Sequence, residues 1–336
     1  MISSQVSRRV SVGLVFGFLA IMTVVAPARP EEPAQQTGQV VPAHIGAAEV
    51  CPCTFGPLIA DTAVPIDKGR FAVQPLVAFG ITGGDFTGSW RRVSAGGDFY
   101  SFSLPVKFSY GPFSRTEVFL VVPYVHNWAR NVDEPGGNRS ADFGGLGDIN
   151  LTLKYMFVEE TSTRPTVTGL FAIDFPTGHH SPLNPGNLGT DDLGSGAYRF
   201  TAGLNLSKWV KPFILYANLW YTMATTSTST AEHPSLGTAQ LHTHTRDVLT
   251  FNLAAEYPLR GTGPWVALLE VYSQWETGPV FGPKSVDPPA VLIGILPGIE
   301  YVYSEKLAFA AGVGIDLFGK NTSYNYTPIF SFTYLF

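Results

Sequence analysis

The stretch Tyr326-Thr327-Pro328-Ile329-Phe330-Ser331-Phe332-Thr333-Tyr334-Leu335-Phe336 decides the fold class. Tyr326, Pro328, Phe330, Phe332, Tyr334 and Phe336 fall at every second position, and Thr327, Ile329, Ser331, Thr333 and Leu335 stand between them. A period of two is the mark of a β-strand, whose side chains alternate between faces. One face is therefore almost wholly aromatic and the other mostly small or polar. In water an exposed aromatic face invites aggregation. In lipid it is the outer face of a barrel strand, with rings at the membrane–water girdles.

Composition separates a barrel from a helical membrane protein. Beyond Val25 the sequence has no run of 18 apolar residues, so it offers no membrane helix there. Yet charged residues make up only 14% of the chain and aromatics 13%, with 35 glycines. A soluble domain averages about 25% charged residues. Low charge without long apolar runs is what alternating lipid-facing strands produce.

The other end of the chain agrees. Arg8 and Arg9 precede an apolar run over 10–25, and Ala26-Pro27-Ala28 supplies the small residues of a cleavage site. These features predict a signal peptide over 1–28, because the run is short for a membrane span and a cleavage site follows. Its removal takes away two arginines and leaves 19 basic against 26 acidic side chains. An acidic mature chain argues against a nucleic-acid partner.

Working back from the last strand, period-2 runs recur as far as Phe71. Tyr100, Phe102, Leu104, Val106, Phe108 and Tyr110 alternate with Lys107 and Ser109 among others. Ile149, Leu151, Leu153, Tyr155 and Phe157 alternate with Asp148, Asn150, Thr152 and Lys154. Tyr198, Phe200, Ala202, Leu204 and Leu206 alternate with Arg199, Thr201, Asn205 and Ser207. A helix would scatter those apolar residues around its circumference. Further runs fall at about 70–82, 115–127, 165–176, 212–224, 247–258, 264–276, 290–303 and 306–318, before 325–336 closes the series.

The expected fold is all-β: an antiparallel transmembrane β-barrel of 12 strands over 70–336, with both termini on the periplasmic side. Connection lengths give an independent check. Short links at 111–114, 159–164, 208–211, 259–263 and 304–305 alternate with long ones at 83–97, 128–147, 177–195, 225–246 and 277–289; only 319–324 is short on the long side. Periplasmic turns and extracellular loops differ in this way, whereas a β-sandwich lacks the asymmetry. Pro75, Pro105, Pro123 and Pro297 interrupt four runs, where lost ladder donors predict bulges or adjusted register. The facing of the third strand is left open. Residues 29–69 read as a periplasmic lead: Pro30 to Gln39 has the composition of disorder, while 51–61 is ordered in character and could fold against or into the barrel mouth.

Several local sequences then carry a family resemblance. Asp142-Phe143-Gly144-Gly145-Leu146-Gly147-Asp148 leads into Leu151-Thr152-Leu153-Lys154-Tyr155; Phe175-Pro176-Thr177-Gly178 closes a strand; Gly194-Ser195-Gly196-Ala197-Tyr198 opens one. With Asn218-Leu219-Trp220-Tyr221 and the terminal Phe336, these resemble the outer-membrane family of the meta-pathway of phenol degradation over about 60–336. The resemblance implies a barrel that moves aromatic or other small hydrophobic compounds across the outer membrane of a bacterium. It carries no substrate residue. The glycine and proline motifs mark strand ends at the outer rim, where tight turns are needed. The closing strand, through Tyr334 and Phe336, also resembles the signal read by the barrel assembly machinery.

Function belongs on the lumenal positions. Alternation points Lys107, Asn150, Lys154, Asp174, Arg199, Asn205, Asn218, Asn252, Glu256, Glu270, Gln274, Glu300 and Asp316 inward. Facing lipid, a Lys or Arg at mid-depth would cost about 2–4 kcal/mol. Five carboxylates against three cations would mildly favour cations or neutral solutes over anions in a narrow passage. The same groups could instead pair into a plug, and the sequence weighs the two equally. Inward Tyr216, Trp220, Leu292 and Leu296 argue against a wide porin.

Other residues carry weaker signals. Cys51 and Cys53 lie two apart, leaving open a strained or intermolecular disulfide, a free thiol pair or a metal-ligand pair. His179, His180, His233, His242 and His244 fall in outer loops, where solvated histidines are the usual case. His179-His180-Ser181 superficially resembles a barrel lipid hydrolase's His-x-Ser arrangement, but it lies in a Pro/Gly loop with no orienting partner in view. The expectation is a passive channel, not an enzyme, with no catalytic, cofactor or metal residue. Its partners would be outer-membrane lipid, the assembly machinery and a small hydrophobic or aromatic solute. The alternative is a non-conducting structural or partner-binding barrel.

Overall fold

The computed structural model describes residues 54–336 apart from 135–136, 234–236, 245, 260–263 and 278–288, and the backbone alone over 228–233 and 237–244. The signal peptide, the lead as far as Cys51 and Cys53, and the rings of His233, His242 and His244 lie outside the described residues.

The strands are β1 (Phe71–Phe86), β2 (Arg92–Val93), β3 (Asp98–Phe113), β4 (Thr116–Val132), β5 (Arg139–Leu146), β6 (Ile149–Val158), β7 (Thr166–Phe175) and β8 (Arg199–Val210). They continue with β9 (Phe213–Ala224), β10 (Thr226–His233), β11 (Gly237–His244), β12 (Asp247–Pro258), β13 (Trp265–Thr277), β14 (Val291–Ser304), β15 (Leu307–Lys320) and β16 (Thr322–Leu335). Twelve of them form one antiparallel barrel in the order β1, β3, β4, β6, β7, β8, β9, β12, β13, β14, β15, β16. It closes where β16 pairs with β1, from Ala72↔Leu335 to Phe86↔Thr322. The alternating tail is therefore the twelfth barrel strand.

Each barrel strand matches a run of alternating sequence, because one face must meet lipid and the other the lumen. On β6, Leu151, Leu153, Tyr155 and Phe157 are exposed while Thr152 and Lys154 are buried. On β16, Phe330, Phe332 and Tyr334 face out while Ser331 and Leu335 are buried. Rings gather at the end bearing the chain terminus and the short turns: Trp265 lies 4.6 Å from Tyr301, Tyr155 5.2 Å from Phe157, and Tyr334 4.8 Å from Phe336. The Phe336 amide donates to the Phe71 carbonyl at 2.8 Å, tying the last residue to the first strand.

The remaining strands stand beyond the membrane-facing band. β5 pairs with the far end of β4, and β10 with β11 forms a separate hairpin inside a connection expected as a plain loop. At Pro123 the expected adjustment is present, since the partner of β4 changes from β6 to β5 with a one-residue slip between Val121↔Asn150 and Tyr124↔Leu146. The other pairings of the prolines differ from expectation. Pro105 pairs directly with Pro123, and the β1–β3 register on either side of Pro75 is unshifted, from Pro75↔Val106 to Ala78↔Ser103. Register also runs unchanged past Pro297, from Ile295↔Ile315 to Gly298↔Gly312. A proline forfeits one donor, but neighbours on both sides hold the strand. The prolines' own carbonyls stay bonded: Ser331 Oγ donates to that of Pro75 at 3.0 Å and the Gly147 amide to that of Pro123 at 2.9 Å. Other shifts fall elsewhere, for example between Thr82 and Gly84.

Candidate functional site

Residues 54–66, assigned by sequence to a periplasmic lead, lie inside the barrel. Alternation aims polar side chains at the lumen, and these hold the segment by its backbone as it passes from β14 round to β4. Glu300 on β14 accepts from Thr54 Oγ1 at 2.7 Å and from the Phe55 amide at 2.9 Å. Glu270 on β13 accepts from three successive amides, Leu58 at 2.7 Å, Ile59 at 3.0 Å and Ala60 at 2.7 Å. Hydrogen bonds to a charged acceptor contribute about 1.5–3 kcal/mol each.

The next anchor is bidentate. The Asp61 amide donates to Asn218 Oδ1 at 2.9 Å, and Asn218 Nδ2 donates back to the Asp61 carbonyl at 2.8 Å. Asn205 Nδ2 reaches Asp61 Oδ2 at 2.8 Å, while Asn205 Oδ1 accepts from Asn218 and from Trp220 Nε1. Asn205, Asn218 and Asn252 stand opposite one another on β8, β9 and β12, a polar row that the antiparallel register creates. Beyond it, the Ala63 amide donates to Ser207 Oγ at 2.9 Å, Thr168 Oγ1 to the Ala63 carbonyl, and the Ile66 amide to Glu117 Oε2 at 3.3 Å. Gly69 and Arg70 then exchange backbone hydrogen bonds with Gly111 of β3 before β1 begins.

Two lysines balance two carboxylates beneath the segment. Lys154, fully buried, lies 2.9 Å from Asp61 Oδ2 and 3.4 Å from Glu117 Oε2 and donates to the Thr62 carbonyl at 2.9 Å. Lys107 lies farther off, 3.7 Å from Asp61 and 3.8 Å from Glu117, with its ammonium 4.1 Å from the centre of the Phe119 ring. An ion pair this deep must be fully compensated, because an unpaired buried charge costs several kcal/mol.

The other residues expected inward are placed as follows. Tyr216 hydroxyl donates to Glu256 Oε2 at 2.8 Å. Asp316 Oδ1 accepts from the Tyr272 hydroxyl at 2.8 Å, and its Oδ2 from the Asn325 amide at 2.8 Å. Asn150 Nδ2 donates to Asp174 Oδ1 at 2.7 Å, with Arg199 opposite Asp174 in the ladder. Leu296 is fully buried, whereas Gln274 is exposed near the loop end. Gln74, Glu117, Thr168 and Ser207 belong with them and were not singled out. Glu117 sits on the strand whose facing was left open, and Ser207 stood on the polar side of a quoted run.

The inner segment leaves space on the opposite side of the lumen. A cavity of about 240 Å³ lies between residues 55–62 and a wall formed by Gln74, Leu76, Pro105, Lys107, Phe119 and Val121. A second, of about 130 Å³, lies nearer the short turns, against Ala72, Ser109, Trp209, Tyr216 and Leu335. The smaller is mostly apolar in its lining, while the larger mixes apolar side chains with Asp61, Thr62, Gln74 and Lys107.

A family model described as the putative MetA-pathway of phenol degradation matches residues 78–332. The chain belongs to that family. In this MetA-pathway family member the three rim motifs meet in one clasp. Asp148, from the Gly-Leu-Gly-Asp motif, accepts the Gly178 amide at 3.0 Å and both the Ser195 amide and hydroxyl at 2.7 Å. Thr177 Oγ1 donates to the Gly147 carbonyl at 2.8 Å. Gly178 and Gly194 touch backbone to backbone, so a Cβ on Gly178 would come within 2.8 Å of the Gly194 Cα. In the loop beyond, His179 Nδ1 lies 2.7 Å from the Asp191 carbonyl and His180 Nδ1 3.1 Å from Asp192 Oδ1. Burial alone would raise the Asp191 carboxyl, yet hydrogen bonds from Asn184 and Asn187 hold it below the ordinary carboxylate range.

Among solved structures, the chain is similar to an outer membrane channel from Pseudomonas putida F1, with a TM-score of 0.60 and 11% identity over 83% of this chain and 100% of that one. It is less similar to the β domain of the Bordetella autotransporter BrkA, with a TM-score of 0.49 and 10% identity over 80% and 100% of the two chains. The translocator domain of the autotransporter NalP from Neisseria meningitidis gives 0.45 and 11% over 79% and 87%. At such identities the first likeness concerns the fold, an outer-membrane β-barrel. No curated protein sequence matches the chain.

Proposed function

We propose that the protein is a passive channel of the bacterial outer membrane for small hydrophobic or aromatic compounds. The short turns face the periplasm and the long loops the exterior, the usual arrangement of such barrels. The observation that carries the reading is the pair of cavities beside the inner segment, which share lining residues, the smaller mostly apolar and the larger of mixed lining. An apolar cavity of about 150 Å³ accommodates benzene, so the smaller, mostly apolar space of about 130 Å³ is near the size of a single ring and the larger, of about 240 Å³, has room for one with a polar group. Of the inward residues, Lys107, Lys154, Asn205, Asn218, Glu270 and Glu300 shape this lumen by fixing the segment, and Asp174, Arg199, Asn252, Glu256 and Asp316 as part of the surrounding wall. Tyr334 and Phe336 serve insertion by the assembly machinery.

A second reading is a non-conducting barrel, favoured by the number of hydrogen bonds that hold residues 54–66 across the lumen. One experiment separates them. Vesicles with lipopolysaccharide in the outer leaflet, which slows unassisted entry of apolar solutes, are loaded with the full-length protein and offered labelled benzyl alcohol. Uptake above protein-free vesicles supports the channel; uptake equal to them leaves the structural reading in its place.

A further inference from the structure

We infer that the junction of the two cavities, formed by Gln74 and Lys107 on the wall and Phe55, Gly56 and Thr62 on the inner segment, is a filter that admits neutral single-ring solutes, with Gln74 its specificity-determining side chain. The inference rests on the channel reading above and names the solute class and the residue that sets it.

Those five residues line both cavities, so a solute moving from one to the other passes among them. Gln74 and Phe55 also line a third, smaller space beside Ser331 and Thr333. The segment side of the junction is fixed in position. The Phe55 amide is held by Glu300, Thr62 is held through its carbonyl by Lys154, and Gly56 folds the chain back between them. Gly56 has φ +95°, a left-handed conformation that other residues rarely adopt, and a Cβ there would meet that of Thr62 at 3.7 Å. A larger residue at 56 would strain the turn and narrow the junction together.

The wall side has two members. Lys107 is occupied, drawn toward Asp61 and Glu117 and against the Phe119 ring. Gln74 is its direct cross-strand neighbour. It is half-buried, at a position where length can change without removing an anchor of the inner segment. The width of the junction therefore follows the side chain at 74.

Charge sets the second criterion. Asp61 and Glu117 are matched by Lys107 and Lys154, two carboxylates for two ammonium groups. Leu76 and Val121 beside them give an ion nothing in place of its hydration shell, and the one ring there, Phe119, already faces Lys107. A neutral ring loses little on entry. The cation preference expected from counting inward carboxylates therefore does not hold at the junction, where the local charges balance.

The test uses full-length protein in the lipopolysaccharide vesicles, with labelled benzyl alcohol as the single-ring probe, a labelled naphthyl alcohol as the two-ring probe and labelled benzoate as the anion. Gln74→Trp is expected to lower benzyl alcohol uptake by at least about tenfold, the lower end of the discrimination that a single methylene produces in an apolar pocket. Gln74→Ala is expected to admit the naphthyl alcohol that the wild type rejects. Folding of each variant is read from its gel mobility before and after heating, and Gln74→Ala, which adds no bulk, keeps the test decisive if Gln74→Trp misfolds. Wild-type uptake of benzyl alcohol with unchanged selectivity in Gln74→Ala overturns the filter while sparing the channel. Wild-type uptake of benzoate as fast as benzyl alcohol overturns the charge criterion, and no wild-type uptake at all overturns both readings.

Discussion

The wall formed by β6–β9 and β12–β14 turns Lys154, Thr168, Ser207, Asn205, Asn218, Glu270 and Glu300 toward a strip of backbone. The wall formed by β1, β3 and β16 turns Gln74, Lys107, Thr333 and Leu335 toward space. Both are built from the same alternating strands, and both are polar on the inside. The difference is what the polar groups meet. Where inner chain runs along the wall, carboxylates and amides serve as its hydrogen-bond partners. Where it does not, the wall carries one occupied lysine, one glutamine and the small hydroxyls of Ser109 and Thr333 among apolar side chains. An inward carboxylate in a small barrel is therefore as apt to be an acceptor for buried backbone as a contact for solute.

Removing Lys154 should break this contrast most strongly. Lys154→Met leaves Asp61 and Glu117 with Lys107 alone, at 3.7 and 3.8 Å, and a buried charge stripped of its partner costs about 3–5 kcal/mol. The expected outcome is a lower temperature for loss of the folded gel band, with proteolysis appearing within residues 54–66. Glu270→Ala comes next. Three amides lose their acceptor together, and because water reaches them once the segment lifts, the loss is about 1–3 kcal/mol. Protease sensitivity of the segment should rise while the barrel keeps its strand content by circular dichroism. Glu270→Gln, which retains one acceptor oxygen, should lie between.

Smaller effects sharpen the comparison at the barrel's ends. Asp148→Ala removes three hydrogen bonds from the rim clasp, so the loop that carries His179 and His180 should become protease-sensitive without change in residues 54–66. Deleting Phe336 removes its amide bond to Phe71 and its ring contacts at 5.4 and 4.8 Å. The mature barrel should lose little stability, while the yield of inserted protein in cells should fall; normal insertion would count against a role in assembly.

The strands were legible because lipid enforces the alternation. Leu151, Leu153, Tyr155 and Phe157 have to face out, and no tertiary contact competes with that demand. Pro75, Pro105 and Pro297 misled because losing one donor in a closed, doubly paired strand is tolerated without a slip of register, whereas Pro123 does sit at a one-residue slip, where β4 passes from β6 to β5. The rim motifs could be placed at strand ends from their glycines, but that Asp148, Gly178 and Ser195 meet could not be read from residues 30 and 47 apart. The inner segment was least legible. Residues 54–66 have no period, since a strip bound mainly through its amides needs few particular side chains beyond Thr54 and Asp61. Its partners, Glu270, Glu300 and Asn218, look in sequence like any lumenal polar residue. The one hint was that 51–61 differs from the disordered composition before it.

The most direct measurement compares single-channel conductance of the full-length protein with a variant lacking residues 54–66, both in planar bilayers. With the segment in place the passage is confined to the β1–β3–β16 side, and conductance should be low. Its deletion should expose Glu256, Glu270 and Glu300 to the lumen, raising conductance several-fold and bringing a preference for cations. Equal conductance and equal selectivity in the two proteins would contradict the account.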